Sequence, residues 1–192
     1  KDLSNSVVKN IEKELAQTYG VISYKAFPSY DRRSFALDVL NEILSGGENS
    51  LLVSEIKNRL NLVNSIQAGY YAQKYVGSFS IYFTTDEEKV KEVIEGVDKI
   101  IKDVVSGKID GNVVTAAKNR LKSHVIFQRE NTSSEANDIG YYYTLGVPEY
   151  YSKYTDMVSS VTKEDIVSVA KEIFGKNRVI VTTSMSDPLN KI

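Results

Sequence analysis

The chain has no cysteine and a single histidine, His124. The first absence removes disulfide cross-links and thiolate metal sites. The second leaves too few nitrogen donors for zinc, which takes three or four protein ligands in fixed geometry. No series of Asp and Asn has the spacing of a calcium loop. His124 falls three residues after Leu121 on a partly apolar stretch and reads as a structural or surface histidine. Metal binding by these residues is therefore not expected. No apolar run approaches the roughly 20 residues needed to cross a bilayer, and residues 1–6 lack the apolar core of a signal peptide. Twenty-four basic residues against twenty-five acidic ones leave a net charge of −1 with no basic block. That excludes the clustered positive field on which nucleic-acid binding depends. A soluble protein is expected, and the lack of cysteine suits a cytoplasmic and a periplasmic setting equally. Because the first residue is not methionine, the sequence reads as a piece of a longer protein.

Signatures of nucleophilic catalysis are equally sparse. Ser6-x-x-Lys9 and Ser168-x-x-Lys171 match Ser-x-x-Lys, yet no Ser-Asp-Asn, Lys-Thr-Gly or Gly-x-Ser-x-Gly accompanies them. Gly46-Gly47 has neither a preceding strand nor a following Gly-Lys-Ser/Thr, and a helix stop explains it. Asn131-Thr132-Ser133 is a glycosylation acceptor sequence, which matters only on a eukaryotic secretory route.

What is present is a pattern of strands and helices within one domain, residues 1–192. Residues 19–27 alternate with β-branched and aromatic side chains and predict a strand. Pro28 breaks it, and Asp31 is placed to cap a helix carrying Phe35, Val39, Leu40, Ile43 and Leu44 at helical spacing. Gly46-Gly47 should end that helix with a left-handed cap, and Ser50 should cap the next, which carries Leu51, Leu52, Ile56 and Leu60. Residues 65–71 and 76–84 predict an antiparallel pair around the short spacer 72–75. The clearest helix follows Asp86, with Val90, Val93, Ile94, Val97, Ile100, Ile101, Val104 and Val105 on one side and charge on the other. Further helices are expected over 112–129, 131–145 and 148–158. Thr162 and Asp165 form a capping box opening the last one, and residues 178–183 give a final strand. Residues 186–192 read as a loose tail. Residues 7–15 fit a helix or a strand. Strands and helices are segregated, so the class is α+β with an antiparallel-rich sheet packed on one side by helices.

Tyr141, Tyr142 and Tyr143 are consecutive, with Tyr150, Tyr151 and Tyr154 close behind. Three adjacent tyrosines cannot all face one core from a helix. At least one should be exposed or line a cavity, either as packing against neighbouring helices or as a wall that meets a peptide.

Four stretches taken in order carry a family resemblance. They are Leu37-Asp38-Val39-Leu40-Asn41-Glu42-Ile43-Leu44 with Gly46-Gly47, then Ser50-Leu51-Leu52-Val53-Ser54-Glu55-Ile56; the hairpin end Gly77-Ser78-Phe79-Ser80-Ile81-Tyr82; Ala117-Lys118-Asn119-Arg120-Leu121; and Val161-Thr162-Lys163-Glu164-Asp165-Ile166. Together they resemble the second half-molecule of the pitrilysin/insulinase zinc peptidases, particularly the mitochondrial processing peptidase branch, over about residues 7–184. The resemblance favours a strand near the N-terminus and implies a clamshell of two related halves. It implies that the inverted His-x-x-Glu-His motif and its zinc belong to a companion half, in the same chain or a separate subunit, and that this chain holds no cofactor. The chain would then be the inactive half that completes a chamber and helps hold extended peptide, its parent a zinc metalloendopeptidase. In active members an arginine follows the Glu-Leu/Ile pair and a tyrosine lies seven residues further on. Here those positions are Lys57 and Asn64. Lysine keeps the charge without the planar two-point donor, and asparagine has a shorter reach than a phenol. A purely structural or assembly role, like that of non-catalytic partner subunits and respiratory-complex core proteins in the family, is the alternative, and a dimer is compatible with it. The remaining alternative is an unrelated α+β binding module.

Overall fold

A computed structural model describes residues 3–186, 188 and 189. Five strands form one sheet in the order β1-β5-β2-β4-β3. Strand β2 (Thr18–Ala26) lies antiparallel between β4 (Gly77–Thr85) and β5 (Arg178–Ser184), and β3 (Ser65–Ala72) adds antiparallel to β4. β1 (Val7–Glu12) runs parallel to β5 at the opposite edge. The N-terminal segment is therefore a strand, tied in by Asn10, whose Oδ1 accepts from Thr182 (2.7 Å) and Ser184 (2.9 Å).

Alternation in the sequence becomes a division between faces. Ile22, Tyr24, Phe79, Ile81, Phe83 and Ile180 are buried on one side. Val21, Ser23, Tyr82, Thr84, Val181 and Thr183 lie on the other, where most keep solvent contact. The buried side is covered by α1 (Ser34–Ser45), a wide-turn segment (Val53–Arg59), α2 (Val90–Val105) and α6 (Lys163–Phe174). α3 (Gly111–Arg129) and α5 (Glu149–Ser160) pack outside α1, and α4 (Thr132–Leu145), which has no buried residue, rests on both of them. Phe174 of α6 stands edge-on to Tyr24 (5.0 Å) and Phe79 (5.5 Å), which fastens that helix to the sheet centre. Gly20 leaves room for the Phe83 ring, since a Cβ there would lie 2.1 Å from it.

The capping box of α6 forms as expected: Thr162 accepts from the Asp165 amide, and Asp165 accepts from the Thr162 amide. Three local expectations do not hold. Asp31 is not the cap of α1; its carboxylate takes the Arg33 amide (3.0 Å) and guanidinium instead. Gly46 is not left-handed, at φ −78°, and the turn out of the helix comes at Gly47, at φ +139°. Ser50 does not cap the next helix, because its hydroxyl donates back to the Gly47 carbonyl. That helix widens into π geometry, where the Leu60 amide reaches the Glu55 carbonyl five residues back. The tail is not loose throughout: Ser186 bonds Glu87, and Leu189 is buried in the core. Residues 187 and 190–192 lie outside the described residues.

Candidate functional site

Two concave regions lie at opposite ends of β3, and each takes some of the residues that sequence singled out. The first is on the uncovered sheet face. Tyr19, Val21, Ser65, Gln67, Tyr82, Thr84, Val181 and Thr183 line a shallow concavity of about 390 Å³. Its polar groups are linked to one another, with Ser65 and Thr84 sharing a hydrogen bond of 2.8 Å. Asn64 stands at its rim as the residue leading into β3. Its amide donates to Gln17 Oε1 (3.0 Å), and Gln17 donates to the Tyr19 hydroxyl (3.2 Å). Lys57 is on the π-helical segment, half-exposed, and lines neither region. Nearby Arg59 is held by Glu55, while Lys57 has no anionic partner among the described residues. An unengaged lysine and a rim asparagine offer donors to a carbonyl or carboxylate.

The second region is on the helix side. Ser29, Ser34, Phe35, Asp38, Tyr70, Ala72, Tyr141, Tyr142, Leu145, Tyr150 and Tyr154 enclose about 170 Å³. α1 brings Asp38, β3 brings Tyr70, and α4 and α5 bring the remaining tyrosines. Tyr150 and Tyr154 are set by their rings against Phe35, at 4.9 and 5.6 Å. The hydroxyls of Tyr70, Tyr141 and Tyr150 donate to the carbonyls of Phe27, Ala72 and Tyr30. Tyr154 donates to Asp38 Oδ2 at 3.0 Å. Asp38 is half-buried and lines this cavity. Desolvation is the main cause that lifts its pKa to about 7, against which the Tyr154 hydrogen bond pulls down. Burial likewise raises the phenols of Tyr70, Tyr142 and Tyr154.

The consecutive tyrosines divide as a helix requires. Tyr142 is half-buried and lines the cavity, and Tyr141 sits at its rim, 47% exposed. Tyr143 is 73% exposed and lines neither region. Tyr141 and Asn64 are separated by the length of β3, about 25 Å at ~3.3 Å per residue. The site residues therefore fall into two places, not one. His124 is exposed on α3. No group of three or more His, Cys, Asp or Glu side chains that could hold a metal occurs among the described residues. With one imidazole and no thiol, the donor set does not fit a hydrolytic zinc site.

Sequence reasoning passed over Asp38, Ser29 and Tyr70. A signal existed for the first. The polar stripe of α1 (Asp38, Asn41, Glu42, Ser45) carries no lysine or arginine, which is unusual for a stripe facing water.

Residues 1–121 match the family described as the peptidase M16 inactive domain. The chain belongs to that family. A zinc protease of Streptomyces coelicolor is 22% identical over 88% of this chain and 37% of its own length. A probable mitochondrial-processing peptidase subunit alpha-1 of Arabidopsis thaliana is 28% identical over 68% of this chain and 26% of its own length. The crystal structure of a peptidase M16 inactive domain from Pseudomonas fluorescens superposes with a TM-score of 0.85 at 18% identity, covering 95% of this chain and 44% of that one. At that identity the likeness shows the fold alone. The chain spans less than half the length of these relatives. The family resemblance and the α+β class read from the sequence both hold.

Proposed function

We propose that this domain is the metal-free half of a zinc-dependent peptidase, walling a chamber opposite a zinc-bearing half and helping to hold extended peptide there. One observation carries the reading: the central strands of the sheet bury one face under helices and leave the other uncovered and concave, lined by hydroxyl, amide and phenol groups. A surface of that kind suits contact with polypeptide in many registers, because hydroxyls and amides both donate and accept. The family match, and relatives more than twice as long, support a companion half. That half lies in the same chain or in a separate subunit. Asn64 supplies a donor at one end of the open face, Lys57 adds an unengaged ammonium from the π-helical segment on the helix side, and the Tyr141–Tyr143 segment supplies an aromatic contact at the far end of β3. Bond cleavage belongs to the companion, since no group among the described residues is set to activate a water or a nucleophile.

The test is fluorescence anisotropy of a labelled, unfolded peptide with the full-length protein. The double variant Gln67→Ala, Tyr82→Ala should weaken binding about tenfold, roughly 1.4 kcal/mol, and Lys57→Ala should weaken it less. Unchanged affinity in the double variant overturns the reading.

A further inference from the structure

We propose that the cavity between β3, α1, α4 and α5 is a binding site for an organic cation, an ammonium or guanidinium group received by the Asp38 carboxylate within a tyrosine lining. The argument starts from unused acceptors. An ionised carboxylate has about four acceptor positions, and Asp38 receives one hydrogen bond, from Tyr154, at Oδ2. Ser29 lines the same cavity, is 4% exposed, and its Oγ has no hydrogen-bond partner among the described residues. Buried polar atoms left unpaired are uncommon in folded proteins, and two unfilled acceptors around one cavity point to a missing donor.

Charge specifies that donor. Among the described residues no lysine, arginine or histidine lines the cavity. The groups facing Asp38 are the phenols of Tyr154, Tyr70, Tyr141 and Tyr142, all neutral at physiological pH. Glu42, one turn along α1, is occupied by Arg120 at 2.7 Å. The Arg129 guanidinium lies against Tyr151, 4.5 Å from its ring, and donates to that residue's carbonyl. A cation is what an enclosed carboxylate lacks, and aromatic side chains around it favour one further through their π-electrons. Size is consistent: about 170 Å³ holds roughly five water-sized groups at ~30 Å³ each, close to the heavy-atom count of butylammonium. The raised pKa of Asp38 agrees with a site in which the carboxylate waits for its counter-charge. This site lies on the helix side of the sheet and does not depend on the open-face reading.

Titration calorimetry of the full chain with n-butylammonium chloride, at constant ionic strength, tests the assignment. Saturable one-to-one binding is expected, about tenfold stronger at pH 8 than at pH 6 as Asp38 ionises. Asp38→Asn should abolish it, and Ser29→Ala should weaken it, with both variants folded by circular dichroism. A capped tripeptide with a central lysine separates the sources. Binding of both probes supports a basic side chain as ligand, and binding of the free amine alone supports a small amine. No saturable binding at pH 8 overturns the proposal and leaves a water-filled cavity. Equal binding of the neutral analogue 1-pentanol, or full binding by the Asp38→Asn chain, overturns it as well.

Discussion

Helix α1 buries Phe35, Leu37, Val39, Leu40, Ile43 and Leu44, and helix α2 buries Val90, Val93, Ile94, Val97, Ile100 and Ile101. Their apolar stripes are alike. Their polar stripes are not. On α2, Lys91, Glu92, Glu95, Lys99 and Lys102 face water, and one acidic residue, Asp98, is taken by Arg178 of β5. On α1, Asp38, Glu42 and Ser45 are each taken by another element: Tyr154 of α5, Arg120 of α3 and the Ala68 backbone of β3. An amphipathic pattern shows that one face is buried; it does not show that the other is wet. The helix with a covered polar side is also the one that carries the tyrosine-lined cavity.

Deletion in the shared apolar stripe should cost most. Leu40→Ala is expected to lose about 2–5 kcal/mol of unfolding free energy, from lost transfer energy plus a cavity, as read by urea denaturation. This cost belongs to either helix and sets the scale.

The polar stripes should then separate. Burial pushes the Asp38 carboxyl up to about 7 from its ordinary 3.8, so the folded state holds its proton longer than the unfolded chain. Stability contributed at this position is therefore lost as pH rises from about 4 to about 7, and is flat above that. A gap of that size corresponds to at most about 4 kcal/mol. Asp38→Asn keeps the acceptor for Tyr154 and removes the charge. It should raise the melting temperature at pH 8 and leave it nearly unchanged at pH 4. Equal melting temperatures of variant and parent at pH 8 would place Asp38 in water, like the polar side of α2.

Smaller still is Glu42→Ala, which removes the carboxylate 2.7 Å from the Arg120 guanidinium and leaves it only the bond to the residue-42 carbonyl. Arg120 is about 40% exposed, so screening reduces the loss to about 1 kcal/mol. Glu95→Ala on α2, exposed and without an ion pair, should shift stability by less than about 0.5 kcal/mol. A loss at Glu95 as large as that at Glu42 would erase the contrast.

Most of the secondary structure was legible because it is local. Hydrophobic periodicity located α1, α2 and the hairpin, and Thr162 with Asp165 marked the start of α6. Strand order was not legible, since the parallel contact of β1 with β5 joins Val7 to Val179 across the length of the chain. Family likeness, not its own pattern, favours a strand over a helix at the N-terminus. Asp38 and Tyr154 are separated by 116 positions, and their meeting depends on how α5 packs over α1. Two of the misplaced caps share a cause: a side chain suited to capping bonds the nearest local group, which for Asp31 is Arg33 and for Ser50 the Gly47 carbonyl, while at Gly46 the turn out of the helix comes one residue later. Asn64 and the pair Tyr141–Tyr142 lie apart because of the length of β3, and Lys57 and Tyr143 fall outside both regions, which residue identities alone do not convey.

The measurement that tests the central claim most directly is zinc content, by inductively coupled plasma mass spectrometry after dialysis against zinc, paired with a quenched-peptide cleavage assay. For this chain alone the account predicts no stoichiometric zinc and no turnover, with cleavage arising only when the companion half is present. One tightly held zinc per chain together with peptide turnover in the absence of any partner would contradict it.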